Sequence, residues 1–195
     1  MSNSKKSSSV SSKLFPILAV VLGIVAIIMG CLPAVNGSIS INGASQVSAS
    51  LTGFQMAFGI SGKIVTDNGV NPLIGYATDA SYTEGTFAVD GNAGMLITYI
   101  LAAIGVVMGI VSIFLKGKVK GAISLVAGLF LLAAGIMNFF PIAFAGYTAG
   151  EITILVYKLS SSFDLGIGAI IGAIAGILGG LFALAGGVLN LKNAD

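Results

Sequence analysis

Hydrophobic and polar residues alternate in long blocks along this chain, and four hydrophobic blocks contain no charged residue. A helix of about 20 apolar residues crosses the hydrocarbon core of a bilayer, and each block reaches that length. The blocks are Leu14–Val35, Gly94–Leu115, Gly121–Phe140 and Leu165–Leu191. This pattern predicts four transmembrane helices, joined by one short connection and two long ones.

The two long connections carry the period-two alternation of β-strands. In the first, Ile39–Ile41 and Val47–Leu51 alternate apolar and polar residues on either side of a turn at Asn42–Gly43. The apolar stretch Phe54–Ile60 and the segment Tyr82–Val89 are further strand candidates of this connection. In the second, the segment Ile152–Val156 alternates in the same way, although Glu151–Leu159 could instead be an amphipathic segment at the membrane surface. The expected fold class is an all-α membrane protein, a four-helix transmembrane bundle with a small extracellular antiparallel β-sheet.

The lysines fix the expected orientation. Seven of the nine lysines lie in the amino-terminal tail, in the short connection or after the last block. Because basic residues near helix ends mark the cytoplasmic side, we expect a multi-pass protein of the cell membrane with both termini cytoplasmic. The predicted order is a disordered cytoplasmic tail (1–13), a first span (14–35), an extracellular strand-rich loop (36–93), a second span (94–115), a cytoplasmic turn (116–120), a third span (121–140), a second extracellular loop (141–164), a fourth span (165–191) and a cytoplasmic tail (192–195).

Composition argues against catalysis and coupled transport. The chain has 195 residues, of which 56% are hydrophobic and 8% charged, with no histidine. The usual pairs of nucleophile and base cannot be assembled, and no span holds the ionisable residue that marks ion or proton pathways. The outer carboxylates Asp67, Asp79, Glu84 and Asp90 match no calcium-loop spacing. We therefore expect no enzyme, no catalytic, metal or cofactor-binding residue, no cofactor and no nucleic-acid partner.

The single cysteine, Cys31, leaves one alternative open. Residues Ile28–Cys31 resemble the lipobox of bacterial lipoproteins, in which the cysteine is lipidated after the preceding helix is cleaved. The first block is longer than a signal-peptide core, which favours an uncleaved helix. Both interpretations place the following residues outside. A composition rich in lysine, isoleucine and asparagine and free of arginine is typical of an AT-rich bacterial genome.

Glycines recur at helix-packing intervals within the spans. Small residues let two backbones approach closely, and close packing is what holds helices together in lipid. We expect these glycines to lie on one packing face of each helix, either inside the bundle or in an oligomer. The candidates are Gly105 and Gly109 in the second span, Gly121, Gly128 and Gly135 in the third, and Gly168, Gly172, Gly176 and Gly180 in the fourth.

Four spans, a long strand-rich first loop and a shorter second loop resemble the layout of claudins. The resemblance is one of layout, because the claudin first-loop signature of a tryptophan and two cysteines is absent. The segment Thr52–Gly59 (TGFQMAFG) is similar to a first-loop stretch of uncharacterised four-span membrane proteins of Gram-positive bacteria. That family implies no particular activity.

These observations favour a polytopic membrane protein that acts by contact. The first hypothesis is a structural or protein-interaction role through the extracellular β-rich face, the partner being a membrane or surface protein or a homo-oligomer. The alternative is a small channel or pore component assembled on the glycine face of the last helix. A lipid-anchored surface protein is the third hypothesis.

Overall fold

The computed structural model describes residues 3–66, 84–87, 89–154 and 157–193. These residues form two compact units, one of residues Met1–Met29, Ile97–Phe139 and Ile170–Asp195, the other of Gly30–Leu96 and Phe140–Ala169. The helices are α1 (Asn3–Ile28), α2 (Gly53–Phe58), α3 (Ala93–Phe114), α4 (Gly117–Met137), α5 (Pro141–Ala145) and α6 (Ile167–Lys192), and the strands are β1 (Pro33–Ile41), β2 (Ala44–Thr52), β3 (Gly62–Thr66), β4 (Glu84–Phe87), β5 (Gly150–Ile154) and β6 (Tyr157–Leu165).

The first unit contains the helices α1 and α4 and all but the first residues of α3 and α6. Within the described residues, four helical segments are long and apolar enough to cross a membrane, which supports the expectation of a polytopic membrane protein. These segments are Leu14–Cys31, Ala93–Phe114, Gly117–Met137 and Ile167–Lys192. Their core is a cluster of buried apolar residues from all four helices, formed by Ala19, Val20, Val106, Leu131 and Ala183.

Neighbouring helices in this unit run antiparallel. Gly186, near the end of α6, lies against Phe15 at the beginning of the first span, whereas Gly172 lies against Ala26 near the end of α1. On α3, Gly109 lies against Val20 of α1. The end of α1 and the beginning of α6 therefore share one end of the bundle.

Some helix boundaries differ from the expected ones. Helix α1 extends back to Asn3, into the tail predicted to be disordered, because lengthening an existing helix costs far less than nucleating one. It ends at Ile28, and β1 begins at Pro33, since proline lacks the N–H that a helix requires. Helix α4 already begins at Gly117, inside the predicted turn.

The second unit is built on one antiparallel sheet of six strands in the order β4-β3-β2-β1-β6-β5. The turn between β1 and β2 consists of Asn42 (φ 50°) and Gly43 (φ 83°), whose positive φ values match the twist of a two-residue hairpin. Strand β1 also pairs with β6, so both long connections contribute to the same sheet. The small antiparallel sheet predicted from the alternating residues is confirmed.

Two elements of this unit were not expected. Residues Gly53–Phe58 form helix α2 rather than a strand, and the second connection forms the hairpin β5–β6 rather than a single strand or a surface helix. Helix α2 packs on β1 and β2, and α5 packs on β1 and β6. The strand predicted near residues 82–89 covers Glu84–Phe87, and its flanking residues 82, 83 and 88 lie outside the described residues.

Candidate functional site

The sheet presents one face lined with serine hydroxyls. Because side chains alternate along a strand, Ser38 and Ser40 of β1 point to the same side, where they meet serines of β6. The hydroxyls of Ser38 and Ser162 share a hydrogen bond of 2.9 Å, and those of Ser40 and Ser160 share one of 2.7 Å. These cross-strand pairs join the two long connections through side chains as well as through the backbone.

The opposite face is apolar and only partly covered. At one end, Val35 and Leu51 are buried, 2% and 4% exposed. Further along the same strands, Ile39 is 43% exposed. Between them a shallow hollow of about 270 Å³ opens at Gly37, where the ring of Phe163 lies over the missing side chain. The outer part of this face is therefore an exposed apolar surface.

Strand β5 forms one edge of the sheet, and all five of its residues are exposed. Its isoleucines, Ile152 and Ile154, are 65% and 56% exposed. No strand among the described residues pairs with its outer side. Folded proteins usually protect such an edge with charged side chains, above all lysine, or with proline. Strand β5 contains neither lysine nor proline and only one charged residue, Glu151.

The hairpin that carries this edge is held in place at its tip. The Asn42 N–H donates to the Lys158 carbonyl at 2.9 Å, and the Lys158 N–H donates to Asn42 Oδ1 at 2.9 Å. The Lys158 ammonium forms an exposed ion pair with Glu151 at 3.0 Å, across β5 and β6. The exposed edge is thus presented on a fixed backbone rather than on a loose loop.

A second hollow, of about 390 Å³, lies beside α5 and the beginning of α3, with Asp90, Asn92 and Tyr147 in its wall. The Asn92 amide donates to the Phe144 carbonyl at 2.6 Å and accepts the Met95 N–H at 3.0 Å, so both of its ends are engaged. Tyr147 stacks on a phenylalanine ring at 5.0 Å, and burial raises the pKa of its phenol above the ordinary value. These contacts give the hollow a structural framework.

Among the described residues, no three histidine, cysteine or carboxylate side chains come together. Asp90 lies in the wall of the second hollow and is exposed, and Glu84 begins β4. Asp67 and Asp79 lie outside the described residues. Cys31 is exposed and ends the 3-10 turn after α1. Whether it is lipidated stays a prediction.

The glycines of α4 lie against α6. A Cβ added to Gly135 would stand 2.5 Å from the Ile177 nitrogen, and one added to Gly128 would stand 2.9 Å from the Gly180 carbonyl oxygen. One added to Gly121 would meet the carbonyl oxygen of Gly187 at 3.0 Å. The α4 and α6 backbones therefore approach closely at these glycines, and the α6 side chains of Leu184 and Leu191 also lie against Gly128 and Gly121.

The four-residue glycine series of α6 does not face a single neighbour. Gly176 and Gly180 face α4, with added Cβ atoms at 2.8 Å from the Gly135 Cα and 2.9 Å from the Gly128 oxygen. Gly172 instead faces α1. Gly168 is buried and belongs to the second unit. The reason is that residues four apart on an α-helix differ by about 40° in direction, which adds up along the series.

The second glycine stripe of α6 was missed from the sequence. Gly172, Gly179 and Gly186 are seven residues apart and all face α1. A Cβ added to Gly179 would stand 3.2 Å from the Ala19 carbonyl oxygen. Their spacing was the available signal, since seven residues are close to two helical turns. On α3, Gly105 lies against Leu131 of α4 and Gly109 against α1.

Four polar residues in or next to the spans are buried, and the hydrogen bonds of the two serines among them differ in kind. The Ser124 hydroxyl donates to the Ala183 carbonyl at 2.8 Å, which is a hydrogen bond between α4 and α6. Ser112 instead donates to Gly109 of its own helix at 2.7 Å. Thr98 is fully buried, and Asn138, 3% exposed, caps the end of α4.

No protein-family model matches this chain, and no curated protein matches it. The resemblances to claudins and to four-span proteins of Gram-positive bacteria therefore stay predictions. The described part of the chain defines a class: four helices suited to crossing a membrane, with the strands of a six-stranded antiparallel sheet between them in sequence.

Proposed function

We propose that the chain is a multi-pass protein of the cell membrane, with both termini cytoplasmic and its sheet outside, that acts by contact with another protein. The observation that carries this proposal is the exposed strand β5, an edge without lysine or proline that presents two isoleucines. An unprotected edge of this kind is a template for adding a further strand, which is a common mode of protein recognition.

The glycine contacts support this proposal over a pore built on the last helix. Gly172 packs against α1, and Gly176 and Gly180 pack against α4 of the same chain. An oligomer assembled on these glycines would have to displace the chain's own helices. The contacts inside the helical unit therefore favour a self-contained bundle, which leaves the sheet as the surface for a partner.

A photo-crosslinking residue placed in intact cells tests the proposal. We expect a residue such as p-benzoylphenylalanine at Ile154, 56% exposed on β5, to form a protein adduct that mass spectrometry of the linked peptides identifies. The matched control is Leu129, 60% exposed on α4, which should face lipid and give no protein adduct. Adducts at Leu129 with none at Ile154 would move the interface to the bundle and overturn the proposal.

A further inference from the structure

Strand β5 is suited to pair with itself. We infer that the partner at this edge is a second copy of the chain, whose β5 adds antiparallel to the first across a two-fold axis at Ile152. This inference rests on the proposed contact function and names its partner. It follows from the order of residues in Gly150–Ile154, from their exposure and from the charges on either side of them.

The register follows from the sequence of the strand. With the axis at Ile152, Gly150 faces Ile154 of the other copy, Glu151 faces Thr153, and Ile152 faces Ile152. All five residues then find a partner. An axis at Glu151 would set two carboxylates directly opposite each other, which destabilises antiparallel pairs. An axis at Thr153 would leave Gly150 and Glu151 without a partner in the strand.

Both faces of the joined sheet are complementary in this register. On the apolar side, the exposed Ile152 and Ile154 side chains of the two copies form a continuous patch. On the polar side, Thr153 is paired with Lys158 on the neighbouring strand of its own chain. The Lys158 ammonium, which pairs with Glu151 of its own chain at 3.0 Å, therefore also lies on the same side as Glu151 of the other copy, with only Thr153 between them.

The expected association is reversible. A strand of five residues buries less than the roughly 1,000 Å² that a stable complex requires, so pairing through this edge alone is transient. A covalent trap is therefore the suitable test. Directly opposed residues of antiparallel strands have Cα atoms about 4.5–5.5 Å apart, which a disulfide spans, whereas diagonal neighbours at about 7–8 Å exceed its reach.

The test uses the full-length chain in membranes, with Cys31→Ser as background and a mild oxidant. Ile152→Cys should form a disulfide-linked dimer. Glu151→Cys alone and Thr153→Cys alone should not, because each residue lies diagonal to its own copy. Co-expression of these two variants should restore a dimer that links position 151 to position 153. Ile39→Cys, 43% exposed on the central strand, measures dimers formed by random collision.

The inference is overturned if Ile152→Cys forms no more dimer than Ile39→Cys, or if the Glu151 and Thr153 variants form equal amounts of dimer alone and together. If photo-crosslinking at Ile154 then identifies a different protein, the contact function stands and self-pairing fails. If Ile154 gives no protein adduct either, both fail together.

Discussion

Replacing single glycines of α6 by alanine should distinguish the side of this helix that faces α4 from the side that faces α1. At Gly176, the added Cβ would stand 2.8 Å from the Cα of Gly135 and 3.1 Å from its nitrogen. At Gly172, one turn earlier, the nearest atom would be the Ala26 oxygen at 3.4 Å, an ordinary contact. Both variants gain the same helix propensity, so the difference between them isolates packing.

The magnitude follows from the atoms that Gly176→Ala would meet. Carbon atoms pack at about 3.5–4.0 Å, so α4 and α6 would have to separate by roughly 0.7–1.2 Å. The opposing atoms belong to the backbone and cannot rotate away. Overpacking of this kind costs about 1–3 kcal/mol, which for a chain of this length lowers the melting temperature by roughly 2–12 °C.

The measurement is a melting curve of each variant in mild detergent, run beside light scattering to report the particle mass. We expect Gly176→Ala to melt below Gly172→Ala, with the same mass for both variants and the unmodified chain. Equal melting temperatures would refute the assignment of Gly176 to the tight side of α6. A mass that falls only for Gly176→Ala would place this glycine in an oligomer interface.

Two further predictions concern single side chains. Ser124→Ala removes the hydrogen bond to the Ala183 carbonyl and should lower the stability by about 0.6–1.7 kcal/mol. Ser112→Ala loses a hydrogen bond within its own helix and should lower the stability less. Equal losses of stability in thermal melts would contradict this expectation. Burial raises the pKa of Tyr147 above its unfolded value, so the folded state favours the neutral phenol. The stability that this neutral form contributes is complete below pH 10 and is lost as the pH rises through the higher folded pKa. Raising the pH above 10 should therefore lower the stability of the unmodified chain more than that of the Tyr147→Phe variant. Parallel profiles of stability against pH would exclude the effect.

The helices and the sheet could be predicted because their signals are long or repeated. An uncharged block such as Leu165–Leu191 has few alternatives to a spanning helix, and the alternation around Asn42–Gly43 specifies a hairpin. Helix α2 was missed although Thr52 and Gln55 form a capping box, with bonds of 2.9 and 3.1 Å. These two residues are only three positions apart, and the apolar stretch that follows them suits a strand equally well.

Tertiary pairing decides what the sequence left open in the second connection. In β6, Leu159, Phe163 and Leu165 alternate with polar residues, but Ser161 interrupts the apolar series and weakens the strand pattern. Pairing with β1 over residues 159–165 stabilises this segment as a strand. The exposed edge of β5 could not be predicted either, because the order of strands in a sheet depends on contacts between distant parts of the chain.

The central claim is that the sheet lies outside a membrane that the chain crosses four times. The most direct test is to label single cysteines in intact cells with an impermeant maleimide. Ser50 of β2 and Lys118 at the beginning of α4 are both exposed and suit this measurement in a Cys31→Ser background. We expect Ser50→Cys to be labelled in intact cells and Lys118→Cys only after the membrane is permeabilised. Labelling of position 118 in intact cells, with position 50 protected, would contradict the account.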